Sequence, residues 1–126
     1  MAHRIEPCEI VKRGAERDIA FYVDPNGDCQ VDDFLRQATE NARARFRALS
    51  DKLASIGRIT NKRQFRLESK GIWGFKLPNQ ERVACFLDGR VWVCTHAFEK
   101  DGKWPPSEIT RAIGIRTDYL SRKKKT

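Results

Sequence analysis

The feature that most constrains the fold is a run of apolar residues spaced three or four apart between positions 31 and 56. Its members are Val31, Phe34, Leu35, Ala38, Ala42, Phe46, Leu49, Leu53 and Ile56. This spacing puts one apolar stripe along about seven helical turns, and Gly57 follows as a helix-ending residue. The stripe fits one long helix or two. We expect two packed antiparallel helices, with the break at Thr39-Glu40-Asn41 and Asp28 as the first N-cap.

Short runs of strand-forming residues flank this helical region. The first is 18–23, closed by an Asp-Pro-Asn-Gly turn, and three more span 71–77, 81–87 and 90–98. A last helix is expected after Pro105-Pro106, with Ser107 as N-cap or first-turn residue. The predicted order is β-α-α-β-β-β-α. It indicates an α+β fold with a small antiparallel sheet, two N-terminal helices on one face and a C-terminal helix.

The length of 126 residues suits one domain. We place that domain at 17–121, between an extension of uncertain order (1–16) and a basic tail (122–126). No apolar run is long enough to span a membrane and no signal-peptide stretch opens the chain, so we expect a cytoplasmic protein. The four cysteines form no CxxC pair and no metal-like cluster with histidine. We therefore predict free thiols, no metal site and no cofactor.

The positive charge is concentrated in the second half of the chain. Residues 1–57 carry nine Lys/Arg against ten Asp/Glu, whereas residues 58–126 carry sixteen against seven. Aromatic residues alternate with the cations in that half, a pattern typical of nucleic-acid binding. A merely soluble basic surface is the simpler alternative. The sequence favours contact with an anionic polymer.

The register of the predicted hairpin decides which side chains act together. With a two-residue Asp88-Gly89 turn, Arg82 and His96 lie on opposite faces of the hairpin. A three-residue loop, with Gly89 in a bulge, pairs Phe86 with Arg90 and places Arg82 beside His96. That register also puts Val83, Cys85, Val91 and Val93 on one apolar face, and Arg82, Trp92, Cys94 and His96 on the other. Since register follows the uniformly apolar face, we predict the bulged loop.

On this prediction the open face carries the groups that metal-free RNA cleavage needs. His96 is the acid or base, and the cations Arg82, Lys76 and Lys100 stabilise the phosphorane. The predicted RNA-binding residues are Lys103, Arg90, Trp73, Trp92 and Trp104, since tryptophans stack on unpaired bases. A satisfied, partly buried histidine is an equally weighted alternative for His96. Carboxylates are sparse in this half, which argues against a magnesium-dependent nuclease.

Residues 18–120 resemble the RelE/ParE toxin superfamily, in particular its HigB-like, phage-derived branch. The resemblance is carried by DIAFYVDPNG followed by VDDFL, a helix closing with LASIG, GIWGFK, ERVACFLDGRVWVCTHAFEK and PPSEITRAIGIRTDYL. It implies a RelE-like microbial RNase fold. Arg82, His96 and Lys100 match the family's arginine, histidine and one of its lysines. Lys76 stands where arginine is usual, Asp101 replaces a second lysine and Gly74 replaces a frequent glutamate.

The resemblance implies the toxin of a type II toxin–antitoxin module, an mRNA interferase that cleaves mRNA on the ribosome and inhibits growth. It also implies a cognate antitoxin, of the helix-turn-helix type, in a hetero-oligomer with the toxin. The alternative is a non-catalytic, ParE-like protein of the same fold that binds antitoxin, nucleic acid or gyrase.

Overall fold

Six strands form a single mixed sheet within residues 5–124, which a computed structural model describes. In chain order the elements are β1 (Cys8–Arg13), β2 (Asp18–Tyr22), α1 (Gln30–Gln37), α2 (Glu40–Ile56), β3 (Phe65–Ser69), β4 (Ile72–Lys76), β5 (Glu81–Asp88), β6 (Val91–Glu99) and α3 (Pro106–Lys124). The sheet order is β1-β2-β6-β5-β4-β3. Strands β2 and β6 are parallel and all other pairs are antiparallel. The α+β class is confirmed, but the purely antiparallel sheet is wrong.

The apolar stripe, whose spacing fits one helix or two, forms two helices with the break at Ala38 and Thr39. Helix α2 begins after Thr39, whose Oγ1 accepts a hydrogen bond from the Ala42 N–H at 3.1 Å. It ends at Gly57, which has a φ of +91° and donates its N–H to the Leu53 carbonyl. Asp28 is wrong as the first N-cap, because Cys29 holds that position without a side-chain bond.

Helices cover both faces of the sheet, so the predicted open face does not exist in the expected form. The α1/α2 face, which packs on helices α1 and α2, includes Ile19, Phe75, Val83 and Cys85. The opposite face, here the α3 face, packs Ile72, Ala84, Phe86, Val93 and Phe98 beneath α3. Among the described helices, none is long and apolar enough to cross a membrane.

Two edge strands were not predicted. Strand β1 lies inside the predicted extension 1–16 and pairs with β2, and β3 lies between the polar segment 58–63 and β4. Strand β1 is mostly exposed, so it carries little of the apolar alternation that marks a strand in sequence. At the other end α3 continues through Lys124, where a separate tail was expected. Residues 1–4, 125 and 126 lie outside the described part.

The β5–β6 hairpin differs from both predicted registers. Asp88 pairs with Val91, so Gly89 and Arg90 form the turn. A bulge then interrupts the ladder, because Cys85 pairs with Cys94 but Ala84 pairs with His96, which leaves Thr95 as the extra residue. As a result Trp92 and Cys94 lie on the α1/α2 face, while Val91 and Val93 lie on the α3 face. The predicted grouping of side chains is therefore wrong for these four.

Candidate phosphate-binding site

Three cationic side chains meet on the α3 face, at the end of the sheet beside the loop that leads into α3. Lys76 on β4 pairs directly with Arg82 on β5, and Arg66 on β3 pairs with Gly74, two residues before Lys76. Alternation along each strand puts all three on the same face, and all three are half-buried. We call Arg66, Lys76 and Arg82 the cationic cluster.

The cluster is electrostatically unfavourable without a counter-charge. Burial lowers the pKa of Lys76 below its usual range, and the nearby Arg66 and Arg82 lower it further. Burial also lowers the pKa of Arg82. The Arg82 Nη1 donates to the Glu81 carbonyl at 2.9 Å, but its buried Nε has no partner among the described residues. An anion placed here would relieve the repulsion and satisfy this donor.

Carboxylates offset only part of this charge. Glu68 binds Arg66 through Nε at 3.0 Å and Nη2 at 3.4 Å, and Asp101 interacts electrostatically with Arg82. A cleft of about 390 Å³ opens beside Glu68, and Lys70 and Lys103 also line it. None of the three cluster cations lines this cleft, so Glu68 is the residue that connects it to the cluster.

His96 lies on the same face as Arg82, as predicted, but it is fully buried beneath α3. Its Nε2 is 3.1 Å from Glu108 Oε1 and its Nδ1 is 3.1 Å from Thr95 Oγ1, while the ring stacks on Phe98. Burial lowers the pKa of His96 to about 4, assisted by Arg111. The prediction that His96 stands on an open face is wrong. In this conformation a neutral, enclosed imidazole cannot reach an RNA.

Two of the three predicted stacking tryptophans are core residues. Trp92 is buried on the α1/α2 face, edge-on to Phe65 and Trp73, and Trp104 is buried against Gly74 and edge-on to Phe98. Neither is available for stacking on a base in this conformation. Trp73 is half-buried, stacks on Phe65 and lines a cleft at the β3 edge together with Lys62 and Arg66.

The remaining predicted cations divide between the two ends of the hairpin. Lys100 follows β6 at the end where Arg82 lies, and its N–H donates to the Gln80 carbonyl. Lys103 is exposed at the rim of the cleft. Arg90 sits in the hairpin turn at the opposite end, where it binds the Gly14 carbonyl and Asp18. Arg90 therefore holds β2 to the hairpin and lies away from the cluster.

Arg66 and Glu108 are the residues that sequence reasoning missed. Arg66 was not predicted as a site residue because β3 itself was not predicted. The alternation of Phe65, Arg66 and Leu67 is nevertheless a short strand signal. Glu108 is twelve residues from His96, and only the packing of α3 brings them together. Among residues 5–124 no group of three or more His, Cys, Asp and Glu side chains could hold a metal ion.

No family model matches the sequence, and no curated protein matches it at a significant level.

Proposed function

We propose that this chain binds an RNA phosphodiester through the cationic cluster, as a RelE/HigB-like toxin of a type II toxin–antitoxin module that attacks mRNA on the ribosome. The observation that carries the proposal is the convergence of Arg66, Lys76 and Arg82 on the α3 face, where a buried guanidinium donor has no partner in the described part of the chain. The order of elements also supports the proposal. If the added strand β3 is left aside, the elements from β2 onward are a strand, two helices, three strands (β4, β5 and β6) and a helix.

Phosphate binding follows from the donors of the cluster. Guanidinium groups present planar pairs of N–H donors that fit two phosphate oxygens, whereas the Lys76 ammonium supplies a point charge. Because the neighbouring cations disfavour the charged form of Lys76, an approaching phosphate raises its pKa again. Phosphate binding is therefore favoured most at the place where the cations of the free protein repel one another.

Cleavage at this site would use Lys76 where the sequence suggested His96. In the fraction of molecules in which Lys76 is neutral, its amine would take the 2′-hydroxyl proton, the 2′-oxygen would attack phosphorus as the bond to the 5′-oxygen breaks, and the resulting ammonium would give that proton to the leaving 5′-oxygen. Arg66 and Arg82 would stabilise the charge of the phosphorane. This assignment needs no movement of α3.

The experiment compares Lys76→Gln and Arg82→Gln with wild type after induction of the protein alone. Wild type is expected to arrest growth and to produce new mRNA ends on the ribosome. Each substitution should weaken binding of a single-stranded RNA about tenfold, because one charge-assisted contact is lost. Lys52→Gln is the control, since Lys52 is exposed on α2. If Lys76→Gln and Lys52→Gln bind RNA equally well, the cationic cluster is not the site.

The burial of His96 favours a second candidate, a toxin-fold protein that binds and does not cut. Its targets are RNA or, as in the ParE type, gyrase. Intact mRNA together with inhibited supercoiling after induction would select the gyrase form. RNA binding without new mRNA ends would select the RNA form.

The proposal includes a cognate antitoxin, expected to be of the helix-turn-helix type and to form a hetero-oligomer with this chain. Co-expression with a small reading frame adjacent to its gene tests this. The pair should co-purify and growth should recover. A neighbour that neither binds nor restores growth contradicts this part alone.

A further inference from the structure

A second cleft lies on the α1/α2 face, opposite the cationic cluster. Its volume is about 390 Å³. The residues that matter in its lining are Phe34, Gln37, Thr39, Asn79, Glu81 and Glu99. It lies where the α1–α2 connection meets the ends of β5 and β6. This cleft is acidic, in contrast to the basic character of the chain as a whole.

Two carboxylates of this cleft stand directly opposite each other in the sheet. Glu81, the first residue of β5, pairs with Glu99, the last residue of β6. Side chains at such positions lie about 5 Å apart at Cβ, and like charges placed there destabilise a sheet. Neither glutamate forms an ion pair with a residue in the range 5–124. The pair therefore lacks a compensating cation within the described fold.

Glu81 gives an independent indication of a ligand site. Its side chain lines the cleft, yet the residue is only 4% exposed and its buried Oε2 has no hydrogen-bond partner among residues 5–124. Burial raises the pKa of Glu81, and Glu99 raises it further. A buried carboxylate oxygen with no partner loses its hydration without a compensating hydrogen bond, which destabilises the fold. The terminal torsion of glutamate is broad, so rotation of the carboxylate about this torsion costs little.

We propose that this cleft binds a small organic cation, whose primary ammonium group bridges the carboxylates of Glu81 and Glu99. An ammonium carries three N–H donors, enough for both carboxylates and for an amide or hydroxyl oxygen of Gln37, Thr39 or Asn79. The half-buried ring of Phe34 lies in the same wall and can contact the cation or its carbon chain.

The cleft suits an organic cation better than a metal ion. With about 30 Å³ per water molecule, its volume is roughly ten times that of one water. Two carboxylates are few for calcium, which takes six to eight oxygen ligands, and no metal-type cluster occurs among the described residues. A carbon chain along Phe34 and Ala38 would fill space that an ion leaves empty.

Calorimetric titration of the full-length chain with putrescine, a short diamine, tests the proposal. Wild type is expected to bind it saturably and the uncharged analogue 1,4-butanediol not at all. Glu99→Gln and Glu81→Gln should each weaken binding about tenfold, the loss of one charge-assisted contact. Glu99 is exposed, so its variant is expected to fold even if that of Glu81 does not. Glu40→Gln is the matched control, because Glu40 is an exposed acid next to the cleft that does not line it.

Three outcomes would overturn the proposal. One is the absence of saturable putrescine binding to folded wild type. Another is equal affinity in wild type and Glu99→Gln, which would mean general attraction to acidic surface. The third is binding of calcium chloride without binding of putrescine, which would make this a metal site. None of these outcomes bears on RNA binding, because the cationic cluster lies on the other face.

Discussion

His96 illustrates how burial decides the chemistry of a side chain. The same imidazole that would titrate near neutral pH in solvent is enclosed by Phe98 and Glu108 and is neutral in the folded protein. Its Nε2 is in hydrogen-bond contact with the Glu108 carboxylate and its Nδ1 with the Thr95 hydroxyl, which also lies 3.3 Å from the Ala84 carbonyl oxygen. The ring is therefore a structural contact between β6 and α3.

The stability of the protein should fall on mild acidification because of His96. Its folded pKa is about 4 and the ordinary value is 6.5, so the unfolded chain takes up more protons between these values. The stabilisation is complete above pH 6.5 and is lost as the pH falls toward 4. Between pH 7.5 and 5.5 the free energy of unfolding, measured in urea, should fall by on the order of 1 kcal/mol more for wild type than for His96→Gln. Both proteins contain His3, so its contribution cancels in the difference between them.

Glu108→Gln provides a second measurement at this site. Glu108 favours the protonated imidazole, so its removal should lower the folded pKa of His96 further and let the loss of stability continue to a lower pH than in wild type. Parallel pH profiles for wild type and His96→Gln would contradict the burial of a neutral ring.

At the scale of elements, the position of α3 depends on one close contact before its first turn. A Cβ at Gly74 would lie 2.4 Å from Trp104 Cζ2, so β4 has room for this indole only because residue 74 is glycine. Trp104 in turn packs edge-on against Phe98, whose ring stacks on His96. A series of contacts through Gly74, Trp104 and Phe98 thus connects β4 to the buried His96.

Gly74→Ala should therefore destabilise the protein by about 1–3 kcal/mol, the usual cost of overpacking. Gly114→Ala is the matched control, since a Cβ there meets nothing within 4 Å and alanine favours the middle of α3 by about 1 kcal/mol. Urea unfolding measures both, and Trp fluorescence reports on the release of Trp104. If Gly74→Ala is as stable as wild type, the contact does not position α3.

At the scale of the whole molecule, part of the positive charge of the basic half lies at the β3 end of the sheet. Arg58, Lys62 and Arg63 are exposed on the segment before β3, and the cationic cluster lies on the α3 face of the same end. The acidic cleft lies on the other face. The sheet thus separates the cationic cluster from the carboxylates of that cleft.

RNA binding at this end should depend strongly on salt. If the cluster neutralises three phosphates, the logarithm of the binding constant should fall with the logarithm of salt concentration with a slope of about −2. Lys76→Gln should reduce that slope by about 0.7, whereas Lys52→Gln leaves it unchanged. Fluorescence polarisation of a labelled RNA between 50 and 300 mM salt, roughly spanning physiological ionic strength, provides the measurement. An unchanged slope for Lys76→Gln would exclude its contact with phosphate.

The sequence by itself determined the elements whose apolar spacing is strong. The two helices with their break near Thr39, the strands β2, β4, β5 and β6 and the final helix all follow from periodicity and turn residues. The proximity of Arg82 and Lys76 was likewise expected from their places on neighbouring strands. Edge strand β1 was not predicted because a strand that is mostly exposed carries little apolar alternation, and β3 was not predicted because its alternating stretch is short.

Only the tertiary structure decided which face each side chain occupies. The extra residue Thr95 moves His96 off the face of Trp92 and Cys94, and one inserted residue is enough because side chains alternate with a period of two. Docking of α3 then buries His96 and Trp104 and leaves Arg66, Lys76 and Arg82 half-exposed beside it. These outcomes depend on contacts between residues far apart in the chain, which local patterns do not encode.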